Sequence, residues 1–256
     1  MSDGPPPWLA GHPGLSVPPD GVVHLWPIGL DQPGPVVAAL YPVLDRAERH
    51  RAADHGPVPA RRFVVARGAV RVLLGRYLGR PPAALRWRTG RWGKPALVDP
   101  EAPRFNLTHT AGVALLAVSR TRAVGVDLDR RRAGLPAAAL AGRYFPAGER
   151  GLVRSGGPDA FLRLWVRKEA WVKAAGDRMT RGLVLPVAGP GPVLAVRDPA
   201  GRIPGDWTLR DLPAPPGYAA CVALAGSRPF DPLWPAGEEL SASARQFCGS
   251  AFLRRC

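Results

Sequence analysis

Cysteine and methionine are scarce in this chain, and long apolar runs are missing. Only three of the 256 residues are cysteines and two are methionines. Cys221, Cys248 and Cys256 are odd in number and lack CxxC spacing, so the sequence predicts neither a disulfide framework nor a zinc site. No apolar run reaches membrane-spanning length, and the N-terminus lacks a charged region followed by an apolar one. We therefore expect a soluble, cytoplasmic protein without a membrane partner.

Acidic residues are few, and lysine is almost absent. The 35 Lys and Arg residues outnumber the 20 Asp and Glu residues, which gives a net charge of +15. Such a charge implies a partner that carries phosphate or carboxylate groups: nucleic acid, a phosphorylated cofactor or an acidic protein. The lysines are Lys94, Lys168 and Lys173. Because arginine has replaced lysine elsewhere, these three are candidates for sites that need a compact ammonium group.

The patterning predicts an α+β protein built from two similar α+β halves related by a pseudo-twofold axis. Residues 1–20 are rich in proline and glycine and are interpreted as a disordered leader. We assign residues 21–120 to the N-terminal half and residues 121–225 to the C-terminal half. Residues 226–256 are interpreted as a tail.

Apolar periodicity predicts the individual elements. In the N-terminal half it predicts helices at 36–51 and 61–78. Strands are predicted at 105–108, 113–118 and 124–128, and their short connections favour an antiparallel meander. The second helix carries Arg62, Arg67, Arg71 and Arg76, and we assign these arginines to its solvent face with the exception of Arg62.

The sequence GVDLD at residues 125–129 is the strongest chemical signal. On a strand, Asp127 and Asp129 would share one face while Val126 and Leu128 enter the core. Two neighbouring carboxylates repel each other, and this repulsion is relieved by protonating one of them or by a cation such as Mg²⁺. A solvated strand face paired with nearby arginines is the alternative interpretation.

A second motif, WVRKEA at residues 165–170, lies in a predicted helix that opens at Pro158. Glu169 and Lys173 are four residues apart, so they share a helix face, and Lys168 is adjacent. Glu169 would thus add a third carboxylate to the predicted cation site, with the ammonium groups of Lys168 and Lys173 beside it.

The order of motifs resembles the Sfp-type class of the 4'-phosphopantetheinyl transferase superfamily. The motifs are GKP at 93–95, FNLTH at 105–109, GVDLD at 125–129, and WVRKEA at 165–170 followed by Lys173. This resemblance implies a monomer with its active site in the cleft between the halves. It also implies a reaction in which the phosphopantetheine arm of coenzyme A moves to a serine of an apo carrier protein. Mg²⁺ is the implied cofactor, and adenosine 3',5'-bisphosphate is the implied product.

The same resemblance implies a role for each matching residue. Asp127, Asp129 and Glu169 would hold the metal, although Asp129 is shorter than the usual glutamate and could act through water. Glu169 would also accept the serine proton, and the catalytic candidates are Glu169, Lys173 and His109. The residues expected to contact coenzyme A are Arg46, Arg62, Gly93, Lys94, Pro95, Thr108, His109, Lys168 and Lys173. Arg49, about one turn along the same predicted helix, is the alternative to Arg46. The positive charge of the chain would suit an acidic carrier protein.

Two other classes of function share part of this pattern. A basic nucleic-acid-binding protein would explain the net charge and the RRR cluster at 130–132, although no nucleic-acid motif of the usual spacing is present. A divalent-metal phosphoesterase would use the same acidic ligands with water as the nucleophile. The resemblance favours the transferase, for which nucleic acid is not a partner.

Overall fold

The computed structural model describes residues 15–235. The strands are β1 (Val22–Gly29), β2 (Trp87–Thr89), β3 (Pro95–Leu97), β4 (Arg104–Thr110), β5 (Val113–Ser119), β6 (Val124–Arg130), β7 (Val193–Arg197), β8 (Asp206–Leu212), β9 (Tyr218–Ala225) and β10 (Asp231–Leu233). The helices are α1 (Gly34–Leu40), α2 (Arg46–Ala53), α3 (Pro57–Leu78), α4 (Ala137–Tyr144), α5 (Ala147–Ala175) and α6 (Met179–Gly182). The predicted α+β class is confirmed. Most of the predicted leader and residues 236–256 of the predicted tail lie outside the described residues. None of the helices described is long and apolar enough to cross a membrane.

Two four-stranded sheets form the framework. The first has the order β10-β1-β5-β4 and the second has the order β6-β9-β8-β7, while β2 and β3 form a separate hairpin. All neighbours in the two sheets are antiparallel except β10, which runs parallel to β1. The segment predicted as a tail therefore contributes a strand to the first sheet. Whether the halves are divided at the predicted residues stays a prediction.

Three apolar clusters hold the layers together. One lies between α3 and the first sheet, another between α5 and the second sheet, and the third between the two sheets. Strand β5 is buried along its whole length because Leu116 enters the first cluster while Leu115 enters the third. This position explains why β5 is a continuous apolar run rather than an alternating one.

The predicted meander of β4, β5 and β6 is wrong at its third strand. Both edges of β5 are already paired, with β1 and β4, so β6 cannot join it and pairs with β9 instead. Strand β6 lies beside the edge strand β4, and side chains join the two strands. The amide of Val126 donates to Oδ1 of Asn106 at 2.9 Å. The two sheets thus meet along a seam between β4 and β6.

The helix predicted at 36–51 is broken in two. Helix α1 ends at Leu40, residues 41–43 form a short 3-10 turn that contains Pro42, and α2 begins at Arg46. Asp45 and Glu48 form a reciprocal capping box at the start of α2. Proline lacks the amide that would continue α1, and the capping box favours a new helix start.

The assignment of Arg67 and Arg71 to a solvent face is also wrong. The side chain of Arg71 is 0% exposed and lies 2.5 Å from both Glu48 Oε2 and Asp45 Oδ2. The Arg67 side chain lies 2.8 Å from Glu48 Oε1. Because α2 packs against α3, carboxylates from α2 cover arginines that the sequence of α3 alone places towards water. Arg71 is a buried cation that ties these two helices together.

We expect Arg71→Leu to lower the free energy of unfolding by about 3–5 kcal/mol, because the substitution removes the fully buried one of the two arginines that bind the Glu48 carboxylate. Urea unfolding followed by circular dichroism measures the loss. In the matched control Arg197→Leu, the lost ion pair joins side chains that are 70% and 41% exposed, so a change of at most about 1 kcal/mol is expected. Equal losses in the two variants would contradict a structural role for the buried pair.

Candidate active site

The acidic motif of β6 faces helix α5, as the period of two predicts. Val126 and Leu128 enter the cluster between the sheets, so Asp127 and Asp129 project towards the opposite side of β6. Asp127 is 4% exposed, and its Oδ1 accepts a hydrogen bond from Thr108 Oγ1 at 2.9 Å. Asp129 Oδ1 accepts from Thr110 Oγ1 at 3.1 Å. Two hydroxyl groups of β4 therefore hold the two carboxylates of β6 across the seam.

Lys173 of α5 completes this cluster. Its Nζ lies 2.6 Å from Asp127 Oδ1, 3.2 Å from Thr108 Oγ1 and 3.8 Å from Glu169 Oε2. Asp127 and Glu169, which are 42 positions apart in the sequence, thus share one cation. We call Thr108, Thr110, Asp127, Asp129, Glu169 and Lys173 the acidic cluster.

Glu169 shows the electrostatic strain in the acidic cluster. Its pKa is raised above the usual value, chiefly because burial disfavours the charged form. The ammonium group of Lys173 opposes this shift, while the charges of Asp127 and Asp129 add to it. All three carboxylates therefore act on one another, and the positive charge of Lys173 relieves part of their repulsion.

The side chains suit a hard cation by their chemistry, since three carboxylates offer only oxygen ligands. Among residues 15–235, however, no group of three or more His, Cys, Asp and Glu side chains is arranged to hold a metal ion. Lys173 lies between Asp127 and Glu169, and Arg132 lies 3.0 Å from Asp129 Oδ2. The metal site stays a prediction.

His109 and Arg62 lie at the same end of the first sheet. Burial and the nearby Lys173 lower the pKa of His109, which keeps the ring neutral around pH 7. Arg62 binds Asp31 through two hydrogen bonds of 2.7 and 2.8 Å. A Cβ built on Gly112, in the turn after β4, would lie 2.5 Å from Asp31 Oδ2 and 3.6 Å from the Arg62 guanidinium. The turn between β4 and β5 therefore lies directly beneath this ion pair.

A separate cleft of about 860 Å³ brings together Arg46 and the loop that contains Gly93 and Pro95. We call it the arginine-lined cleft, because four arginines from three different segments face it. Its lining consists of Asp45, Arg46, Ala47, Glu48, Arg51, Phe63, Arg67, Ala83, Leu85, Arg86, Trp87, Thr89, Gly93 and Pro95. The neighbouring Arg49 instead donates to the Leu44 carbonyl at 2.9 Å.

Comparison with known proteins now bears on this geometry. Residues 123–211 match a family model described as the 4'-phosphopantetheinyl transferase superfamily. The 4'-phosphopantetheinyl transferase HetI of Nostoc sp. is 37% identical over 229 residues, which cover 86% of this chain and 94% of HetI. The chain belongs to the 4'-phosphopantetheinyl transferase superfamily. Shorter stretches of this transferase are also similar to other members of the superfamily.

A putative 4'-phosphopantetheinyl transferase of Synechocystis sp. is 35% identical over 144 residues, which cover 54% of the transferase described here and 57% of the cyanobacterial protein. The 4'-phosphopantetheinyl transferase of Bacillus subtilis is 26% identical over 132 residues, covering 50% and 56% of the two chains. The family is enzymatic, and its members transfer phosphopantetheine to carrier proteins.

The structure does not bring Lys168 of the transferase to the acidic cluster. Its side chain is 0% exposed, its Nζ lies 2.6 Å from Glu149 Oε2, and it also donates to the Leu185 carbonyl. The ammonium group lies 4.6 Å from the centroid of the Phe145 ring as well. The predicted contact of Lys168 with coenzyme A is therefore not supported. The reason is helical geometry, because Lys168 and Glu169 are adjacent in sequence and project from different sides of α5.

The ammonium group of Lys94 also lies away from the acidic cluster and binds backbone carbonyls instead. Its Nζ donates to the carbonyl of Val124 at the start of β6 at 2.9 Å and to that of Ala174 near the end of α5 at 2.8 Å. Burial, together with the charge of Arg104, lowers its pKa to about 8. The backbone on either side of Lys94 lines the arginine-lined cleft, but its ammonium group is directed to the seam.

Sequence reasoning missed Thr110, Asp31 and Glu149. Thr110 could have been found, because it lies two residues after Thr108 and so on the same strand face. Asp31 and Glu149 carry no local signal. Each is recognisable only after folding has brought it to Arg62 or Lys168.

Gly125 of the GVDLD motif permits the close approach of β6 and α5. A Cβ at this position would lie 2.2 Å from both the Ala170 carbonyl oxygen and the Ala174 amide nitrogen. Real side chains do not tolerate such distances, and the obstructing atoms are helix backbone. Glycine at this position is therefore a condition for Lys173 to reach Asp127.

We expect Gly125→Ala to lower the free energy of unfolding by about 1–3 kcal/mol, because the added methyl group overpacks a filled interior. Transfer activity should also fall at temperatures well below the unfolding midpoint, because α5 is displaced from β6. Gly142→Ala in α4 is the matched control, since a Cβ there meets no atom within 4 Å. A stable and fully active Gly125→Ala enzyme would refute the close approach.

Proposed function

We propose that this enzyme transfers the 4'-phosphopantetheine group of coenzyme A to a serine hydroxyl of an apo carrier protein, in a Mg²⁺-dependent reaction that releases adenosine 3',5'-bisphosphate. The observation that carries the proposal is the acidic cluster, in which Lys173 links Thr108, Asp127 and Glu169. The arginine-lined cleft supports it, because arginines suit the phosphates of coenzyme A.

The reaction forms a bond between the serine oxygen and the β-phosphorus of coenzyme A. The bond from that phosphorus to the oxygen of the adenosine bisphosphate breaks. Glu169 accepts the serine proton directly or through water, and burial suits it to this role by raising its pKa towards working pH. The released bisphosphate leaves as an anion.

Lys173 and Thr108 would bind the pyrophosphate at its non-bridging oxygens, where charge grows in the transition state. His109, neutral around pH 7, can donate a hydrogen bond to a phosphate oxygen there. A magnesium ion held by Asp127, Asp129 and Glu169 would add charge neutralisation at the same oxygens when bound. Lys173 already contacts Asp127 Oδ1, so it would share this carboxylate with the ion.

Arg46, with the backbone of Gly93 and Pro95, would bind the adenosine end in the arginine-lined cleft. Arg62 would meet the 3'-phosphate beside His109. We leave Lys168 out of this set, because its ammonium group is enclosed by Glu149 and Phe145. The carrier protein is proposed to be acidic, which matches the net charge of +15. We propose a monomer that acts in the cytoplasm.

Incubation with coenzyme A, Mg²⁺ and an apo carrier protein tests the proposal. Mass spectrometry should show that the carrier gains one phosphopantetheine group, and that chelation of the metal stops the gain. Consumption of coenzyme A with an unchanged carrier would indicate a phosphoesterase instead. If coenzyme A is not consumed at all, it is not the substrate of this enzyme.

Glu169→Gln should reduce kcat by about 10²–10⁴-fold, the usual worth of a general base. The substitution keeps the shape of the side chain, so the midpoint of thermal unfolding should change little. Glu101→Gln, at an exposed position, is the control for the loss of one acidic group. A Glu169→Gln enzyme with near-normal kcat would remove this residue from the mechanism.

Lys173→Ala is expected to raise KM for coenzyme A by about ten-fold or more, because a charged hydrogen bond to phosphate contributes roughly 1.5–3 kcal/mol. Steady-state kinetics with the carrier at saturation measures this change. Lys173→Arg tests for the compact ammonium group, since a planar guanidinium does not fit the same contacts. An unchanged KM in both variants would mean that Lys173 does not contact the cofactor.

A further inference from the structure

Side chains of the turn at residues 90–94 contact β6, the end of α5 and Arg178. The turn joins β2 to β3 and is closed by the Gly90 amide, which donates to the Lys94 carbonyl at 2.9 Å. From it, the Lys94 side chain reaches the carbonyl of Ala174 at the end of α5 and the carbonyl of Val124 at the start of β6. A Cβ on Gly176 would lie 3.4 Å from Lys94 Cδ, so the stem of the lysine packs along the helix end.

The bond to Ala174 satisfies a group that α5 cannot satisfy itself. The last four carbonyls of a helix have no intrahelical partner, and a positive group near them is favoured by the helix dipole. Lys94 supplies both the donor and the charge from a distant part of the chain. It therefore caps α5 one residue beyond Lys173.

A second contact joins the same two segments. The guanidinium of Arg178, which follows α5, lies 4.0 Å from the centroid of the Trp92 ring, and the guanidinium of Arg91 lies 4.7 Å from it. Trp92 is half-buried and Arg178 is exposed. Such cation–π contacts favour one relative placement of ring and cation. The 90–94 turn is thus held to α5 at two points.

The same turn forms part of the arginine-lined cleft. Gly93 and Pro95 line the cleft on either side of Lys94, whereas Trp92 and Arg178 do not line it. A ligand that presses on the backbone at 93 and 95 would therefore act on the residue that caps α5.

We propose that the 90–94 turn is a latch that couples occupancy of the arginine-lined cleft to the position of Lys173 and Glu169 at the seam. This inference rests on the proposed function, in which coenzyme A occupies the cleft. Lys94, Trp92 and Arg178 are positioning residues in this latch, because they act on the reaction through α5.

The test is a double-mutant cycle with Trp92→Ala, Arg178→Ala and the combined variant. Each single substitution should lower kcat at saturating coenzyme A and carrier by about two- to five-fold, the range expected for an exposed cation–π pair. The combined variant should be no slower than Trp92→Ala, because Trp92→Ala already removes the contact with Arg178. Trp92→Phe should recover part of the rate. Arg143→Ala is the matched control, since Arg143 makes a similar contact with Tyr144 at 5.2 Å and should leave kcat unchanged.

Amide hydrogen exchange provides a readout that needs no turnover. Residues 169–176 should exchange about two- to five-fold faster in Trp92→Ala and in Arg178→Ala than in the unsubstituted enzyme or in Arg143→Ala. Unchanged exchange overturns the latch even if transfer proves to be the wrong reaction. Additive losses in kcat, or a change confined to KM for the carrier, also overturn it, because Arg178 would then contact the carrier directly. Absence of transfer by the unsubstituted enzyme overturns the proposed function alone.

Discussion

The ammonium group of Lys173 is the interaction on which the candidate site depends. It lies between Asp127 and Glu169, in a place where burial strengthens every charge and where Asp129 adds further negative potential. Neighbouring carboxylates repel one another, and the ammonium group offsets part of that repulsion. Thr108 adds a hydrogen-bond donor to the same oxygen of Asp127. The negative charge of the cluster is thus offset only in part, which is consistent with the proposed binding of a metal and a phosphorylated substrate.

Two arginines of this protein, Arg71 and Arg167, are buried parts of its internal architecture. Arg71 is enclosed by carboxylates of α2, and Arg167, which is 1% exposed, binds Asp211 through two hydrogen bonds of 2.7 Å. Arg167 also donates to the carbonyls of Val187 and Gly191. Part of the positive charge is therefore neutralised inside the fold. A net charge of +15 does not by itself require a nucleic-acid partner.

The three lysines show what residue composition can predict and what it cannot. Their rarity predicts special positions, and in the structure the ammonium group of each lysine makes several contacts. Their roles differ, however. Lys173 lies in the acidic cluster, Lys168 forms a buried pair with Glu149, and Lys94 caps α5 across the seam. The motif suggested that Lys168 and Lys173 act together because Lys168 adjoins Glu169 in sequence. Neighbouring residues of a helix project about 100° apart, however, so Lys168 faces away from the acidic cluster.

The sequence by itself determined the α+β class, the inward and outward faces of β6, and the pairing of Glu169 with Lys173 on one face of α5. These features follow from the short periods of strands and helices, which depend only on neighbouring residues. The tertiary structure alone decided that β6 leaves the sheet of β5, that Arg71 is buried, and that Lys94 binds α5. Those outcomes depend on which edges are already paired and which distant carboxylates or carbonyls arrive nearby, and no local pattern of residues contains that information.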